Sequence, residues 1–232
     1  MNVKKTRKLT RFQLIMRGLL PLTLILALLL LSAGRWNYWQ AWLYIVVNGL
    51  LILSNLWLLR NSPDLIDERL KPGAGMKRWD KIYFILSTPI GLLMLILAGL
   101  DAGRFGWTGP LPIWSYALFY ALYLAGQALF IWAKTVNRYF SSVVRIQTDR
   151  GQQVCTSGPY HYVRHPGYLG ALIYTLTGGL VLGSIYAVIP QLFWTALLVI
   201  RTDKEDRLLQ AELPGYSDYV KAVRYRLIPG IW

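Results

Sequence analysis

The chain has 232 residues, of which 55% are hydrophobic and only 16% charged, and its mean hydropathy is +0.37. A soluble domain carries about 25% charged residues, so this composition excludes a disordered chain and argues against a soluble globular one. The formal net charge is +14, but the cations stand between long apolar blocks, which is the pattern of a membrane protein with basic cytoplasmic loops and not of a nucleic-acid binder.

The apolar blocks come in order. Arg17 and Arg35 bracket 17 uncharged residues, Arg35 and Arg60 bracket 24, Lys81 and Asp101 bracket 19, and Arg104 and Lys134 bracket 29. The last of these opens with a turn through Gly106, Gly109, Pro110 and Pro112. A membrane crossing needs about 20 apolar residues, so each block is expected to form one helix. Ser32-Ala33-Gly34 is only weakly like a cleavage site, and Trp36, Tyr38, Trp39 and Trp42 make an interfacial aromatic belt. The first block is therefore read as a retained span. Between the second and third blocks, Ser62 caps a short helix that starts at Pro63, with Asp64, Asp67 and Glu68 near its positive end. That helix is expected to lie on the membrane surface, or alternatively to gate a substrate.

The stretch from Gly167 to Ile200 has 34 uncharged residues. As one helix it would be roughly 51 Å long at about 1.5 Å per residue, too long for one crossing. Gly178-Gly179, Gly183-Ser184 and Pro190 are expected to break it into a hairpin of two short helices with Ser184 at the exposed tip. All but Arg35 and Arg104 of the 25 lysines and arginines fall in the N-terminus, residues 60–81, residues 134–164 or the C-terminal region. The positive-inside rule then places both termini and both long loops in the cytoplasm, with six spans. The expected fold is all-α: a polytopic integral membrane helical bundle of six spans, the last two a short hairpin, followed by a cytoplasmic C-terminal helix.

The cytoplasmic face carries the chemistry. Residues 158–170 read Gly-Pro-Tyr-His-Tyr-Val-Arg-His-Pro-Gly-Tyr-Leu-Gly. Pro166 suits the first position of the fifth span, which leaves the amides of Gly167 and Tyr168 free to meet an anion, with Arg164 and His165 beside them. After the sixth span come Arg201, Asp203, Lys204, Glu205, Asp206 and Glu212 on an amphipathic helix, conspicuous in a chain with 11 acidic residues. Arg201 and Glu205, four residues apart, share a face, so an ion pair can compete with a ligand contact there. The two segments together describe a pocket with an anion-binding half and a cation-binding half. Cys155, the one cysteine, permits no internal disulfide and is expected to be a small buried residue. With His161 and His165 as the two histidines, no metal site is expected.

Three patches resemble the isoprenylcysteine carboxyl methyltransferase family, within the wider group of membrane phospholipid and isoprenylcysteine methyltransferases. They are Pro63 to Arg69 with Lys77-Arg78-Trp79-Asp80, the Arg-His-Pro-x-Tyr-x-Gly core of Arg164 to Gly170, and Arg201 to Leu208 with Gly215-Tyr216 and Tyr219. The family usually has two adjacent glutamates after the last span, and here the pair is Glu205-Asp206. The resemblance implies a single membrane domain, with residues 1–59 a variable N-terminal pair of spans and 60–232 a methyltransferase-like core. It implies S-adenosylmethionine as cofactor, contacted by His165, Tyr168, Gly170, Glu205 and Asp206, while Arg201 and Arg164 are the catalytic candidates that orient the reactants. The acceptor would be lipophilic, the carboxylate of a prenylcysteine-like molecule or a lipid amine, reached from the bilayer. Methyl transfer is a direct in-line displacement whose main demand is positioning. Two other readings stand beside it: a membrane sterol or enone reductase using NADPH, and a non-catalytic scaffold.

Overall fold

A computed structural model describes residues 11–70 and 75–232, and among these it contains helices and turns but no strand. Lys4, Lys5, Arg7, Lys8 and Lys71, counted above among the cytoplasmic cations, lie outside the described residues. The helices are α1 (Arg11–Ala33), α2 (Trp39–Leu58), α3 (Pro63–Leu70), α4 (Arg78–Ala98), α5 (Ile113–Val136), α6 (Pro166–Val181), α7 (Val188–Glu212) and α8 (Tyr216–Ala222). Ile15–Ala33, Trp39–Asn61, Arg78–Phe105 and Ile113–Val136 are long and apolar enough to cross a membrane, one for each of the first four uncharged blocks. Their outward sides expose large apolar residues such as Leu24, Leu31, Ile85 and Ile113, a surface that water does not tolerate over so wide an area. With no water to satisfy the backbone in hydrocarbon, such blocks have to be helices.

Helices α6 and α7 form the expected hairpin, but it is built differently. Gly178 and Gly179 do not break α6; they lie inside it. A Cβ at Gly179 would stand 2.8 Å from the Cβ of Ala187, and one at Gly178 would stand 2.8 Å from Gln191 Nε2. The glycine pair therefore brings the two helices together, as small residues do in membrane bundles. The chain turns instead at Leu182–Ala187, where Gly183 takes φ +83°. Ser184 is at the tip but is not exposed. It is fully buried, and its hydroxyl donates to Asp101 at 2.6 Å, leaving Ile185 and Tyr186 as the exposed tip residues. Nor is the C-terminal helix a separate element, because α7 runs unbroken from Val188 through Glu212.

Contacts at the two ends of the bundle settle how the helices stand. At one end, Tyr38 Oη donates to the carbonyls of Ala98 and Leu182, at 3.3 and 2.5 Å, and Arg104 Nη2 donates to the carbonyl of Leu31. The hairpin tip is thus at the same end as Arg35 and Arg104. The other end carries the remaining described cations and is where α3, the 137–165 segment, the last turns of α7, α8 and the tail meet.

Candidate functional site

The organising group of the cation-rich end is Asp206, which is fully buried. Arg164 donates to it through Nε at 2.8 Å and Nη2 at 3.0 Å, and Arg226 through Nε at 2.8 Å. Tyr216 Oη donates at 2.9 Å, Gln210 Nε2 at 2.8 Å, and His165 Nε2 lies 3.1 Å away. Burial alone would raise the carboxyl's pKa; the bonds from His165, Arg164 and Arg226 outweigh that and hold it well below the usual carboxylate range. Burial, with Asp206 beside it, pushes the Tyr216 hydroxyl up. Arg164 Nη1 is occupied too, donating to the carbonyls of Val223 at 2.9 Å and Arg224 at 2.7 Å. The backbone amides of Arg164 and His165 donate to the carbonyls of Tyr225 and Arg226, so the tail is laced onto the start of α6.

A second buried pair sits nearby. Arg201 Nε donates to Asp80 at 2.8 Å and Nη2 to the carbonyl of Ser142 at 3.1 Å. Asp80, fully buried at the start of α4, also accepts from the amide of Val144 at 2.7 Å. The guanidinium lies over Tyr83, Phe84 and Tyr168, its carbon 4.6, 5.2 and 5.3 Å from the ring centres. The expected pairing of Arg201 with Glu205 is not made. Asp80 takes the arginine, because α4 packs alongside α7 and brings a buried carboxylate to it.

Glu205 is thereby left for other work. It is half-buried, and its carboxylate accepts a bond from the Tyr168 hydroxyl. The Tyr168 ring stacks on His165 with centres 5.7 Å apart and planes at 16°. These groups line a cavity of about 450 Å³ that runs from Glu205, His165 and Tyr216 at the cation-rich end to Gly91, Ala171 and Trp194 among the helices. Its size is that of a small-molecule site.

The sequence candidates now separate. Arg164, His165, Tyr168, Arg201 and Glu205 all line the cavity. Gly170 and Asp206 do not, and each has another task. A Cβ at Gly170 would stand 2.6 Å from the carbonyl oxygen of Gly126 and 2.7 Å from the amide of Phe130, so this glycine lets α5 and α6 touch backbone to backbone. Asp206, expected from the resemblance to touch the cofactor, spends its oxygens on protein partners. The free-amide expectation at α6 is corrected at Tyr168, whose amide donates to the carbonyl of His165 at 3.0 Å. Cys155 is only partly buried and lines the cavity.

Helix α3 is held to protein. Leu65 and Glu68 are buried, and Arg145, itself buried, grips Glu68 through Nε at 3.2 Å and Nη2 at 2.8 Å. This docking sets Arg69 on the cavity wall. Sequence reasoning gave no role to Asp80, Arg145, Tyr216 or Arg226. The scarcity of acids was a usable signal: in a basic membrane chain, an aspartate at the start of a span, such as Asp80, has a cation to find.

Comparison with known proteins bears on this site. The model of the isoprenylcysteine carboxyl methyltransferase family matches residues 117–211. The Delta(14)-sterol reductase TM7SF2 of Mus musculus is 40% identical over 91 residues, which are 38% of this chain and 22% of that protein. The Delta(14)-sterol reductase of Methylotuvimicrobium alcaliphilum is 29% identical over 138 residues, 54% of this chain and 32% of that protein. The protein-S-isoprenylcysteine O-methyltransferase of Dictyostelium discoideum is 28% identical over 99 residues, 42% of this chain and 41% of that protein. The matched part is thus less than half the length of each of these three relatives. The residues that resemble this family take in most of α5, the Arg-His-Pro core, α6 and most of α7, and so include the motifs around His165 and Glu205.

Proposed function

We propose that this chain is a membrane methyltransferase that binds S-adenosylmethionine at the cation-rich mouth of the cavity and methylates a lipophilic acceptor held deeper among the helices. One observation carries this reading: Glu205 is a carboxylate with no cation paired to it among the described residues, and the one acidic side chain lining a cavity that also presents aromatic rings and several cations. The donor set fits the cofactor. Glu205 can accept from its amino group or ribose hydroxyls, and the faces of Tyr83, Phe140 and Tyr168 suit its sulfonium charge. When bound, the cofactor supplies a methyl group already activated by that charge.

The chain's own residues then position. Asp206, by clamping Arg164, Arg226 and His165, holds the wall of the mouth in place and leaves His165 Nδ1 as its free ring nitrogen. Asp80 fixes Arg201 against Tyr168. A carboxylate acceptor needs no base, so the site has only to align acceptor oxygen and methyl group and exclude water. The apolar end between α4, α6 and α7 suits a hydrocarbon tail. In this reading the 16 residues of α6 and the first half of α7 also cross the membrane, giving six crossings with both termini on the cytoplasmic side. The two sterol reductase relatives favour a second reading, reduction with NADPH in the same cavity.

Glu205→Gln tests the assignment. The melting temperature of the ligand-free protein should stay nearly unchanged, since this side chain holds no ion pair. Stabilisation by S-adenosylmethionine or S-adenosylhomocysteine should largely vanish, the loss of a charge-assisted bond costing about 1.5–3 kcal/mol, roughly ten- to over a hundred-fold in affinity. Lower ligand-free stability with intact affinity would make Glu205 structural. Stabilisation of the wild type by NADPH and not by S-adenosylmethionine would select the reductase.

A further inference from the structure

Two cations beside the cavity lack the partner that every other buried cation of this end possesses. Arg164 is neutralised by Asp206, Arg201 by Asp80 and Arg145 by Glu68. Arg69 and Lys134 have no carboxylate within ion-pair distance among the described residues. Arg69 lines the cavity, and its Nη1 is buried with no hydrogen-bond partner. Lys134, at the end of α5, is 2% exposed. Each leans on an aromatic ring: the Arg69 guanidinium carbon is 5.3 Å from the centre of Phe140, and Lys134 Nζ is 5.6 Å from the centre of Phe130. Those two rings meet edge to face at 5.4 Å, and both line the cavity. The result is a cation–ring–ring–cation ladder, with Arg69, Phe140 and Phe130 on the cavity wall and Lys134 behind them.

Leaving a buried cation without a counter-charge is costly, and ring faces offset only part of the cost. Burial lowers the pKa of Arg69, with Arg201 nearby acting in the same direction. A guanidinium on the cavity wall with a buried, unbonded N–H, and an amine held behind it, call for an anion that comes and goes. A guanidinium with a free N–H and an ammonium behind it match a carboxylate group.

We infer that Arg69 and Lys134 form the anion seat of the cavity and bind the carboxylate of the lipophilic acceptor. This deepens the methyltransferase reading and rests on it. It also moves substrate anchoring away from Arg164 and Arg201, which are committed to Asp206 and Asp80. The docking of α3 through Glu68 and Arg145 then has a purpose, since it sets Arg69 on the cavity wall.

The test uses the full chain in phosphatidylcholine nanodiscs and compares binding of N-acetyl-S-farnesylcysteine with binding of its methyl ester by calorimetry. Wild type should prefer the free acid by about tenfold or more, the range of a charge-assisted contact. Arg69→Gln and Lys134→Met should each cut that preference to less than about threefold, while S-adenosylhomocysteine binds as before. Lys134→Arg should restore it. Lys134→Met should melt no lower than wild type, because it removes an unpaired buried charge and keeps the volume. The inference is overturned if the wild type shows no acid preference, or if the preference persists in both variants. A lower melting temperature in Lys134→Met with unchanged preference makes the lysine structural and also overturns it. Tighter binding of dioleoylphosphatidic acid, inorganic phosphate or NADPH than of the acid, lost in the same variants, assigns the seat to a phosphate instead. Failure of the wild type to bind S-adenosylhomocysteine sinks the methyltransferase reading separately, because the acid preference is read without cofactor.

Discussion

At each end of the bundle a fully buried aspartate ties several groups together, Asp101 at one end and Asp206 at the other, and the two are neutralised by opposite means. Asp101 accepts only from neutral groups: the amide of Thr108 at 2.7 Å, the Thr108 hydroxyl, and the hydroxyl of Ser184 at 2.6 Å. Asp206 is met by two arginines, a histidine, a tyrosine and a glutamine. The first knot joins two nearby turns and holds the hairpin tip against the end of α4. The second joins the start of α6, the end of α7, the start of α8 and the tail, four stretches that must converge to build a cavity mouth. Neutral donors suffice where two turns are tied; cations gather around the carboxylate where segments that carry Arg164, His165 and Arg226 have to sit together.

Removing each hub charge should separate the two cases, with the larger effect at the cation-rich end. Asp206→Asn leaves the buried Arg164 without its counter-charge and Arg226 with only Asp203, 3.6 Å away, and should cost about 3–5 kcal/mol of stability, the penalty for breaking a buried pair. Chemical denaturation in detergent is the measurement, and S-adenosylhomocysteine binding should fall with it. The pH dependence has a definite sign. A carboxylate with a depressed native pKa contributes stability that is full above its unfolded value of about 3.9 and is lost as pH falls toward the native value. Wild type should therefore lose stability between about pH 5 and pH 2, and Asp206→Asn should lose less over that window.

Asp101→Asn should cost less, about 1–3 kcal/mol, since the amide keeps one acceptor oxygen and leaves no cation stranded. Equal costs for the two substitutions would break the comparison. The smallest effect expected is from Ile185→Cys in a Cys155→Ser background, a tip residue that is 53% exposed. Its stability should match wild type, and an impermeant thiol reagent should label it only from the side opposite the cytoplasm. Labelling from the cytoplasmic side would invert the assignment of the two ends.

Much of this was legible before any coordinates. The helical state of the four long blocks, the turn near Gly183 and the gathering of site residues between Arg164 and Gly170 and around Arg201–Glu205 follow from apolar length, charge position and turn chemistry. The errors have one origin. Gly178 and Gly179 were read by local propensity, as breaks, whereas their role is set by a neighbouring helix arriving within van der Waals distance. Ser184 was read as exposed because it sits at a tip, but Asp101, distant in sequence, reaches it.

Sequence alone determined that this chain is a helical membrane protein with its cations gathered on one side, because the requirement for apolar residues and satisfied backbone in hydrocarbon acts on each segment independently of the others. Only the tertiary structure decided which charges are spent and which are free. Arg201 could have paired with Glu205 on its own helix or with Asp80 on another, and nothing local distinguishes the two. Packing of α4 beside α7 chose Asp80, freed Glu205 for the cavity, and left Arg69 and Lys134 as cations still lacking a counter-charge, because ion pairing inside a bundle depends on which helices are neighbours.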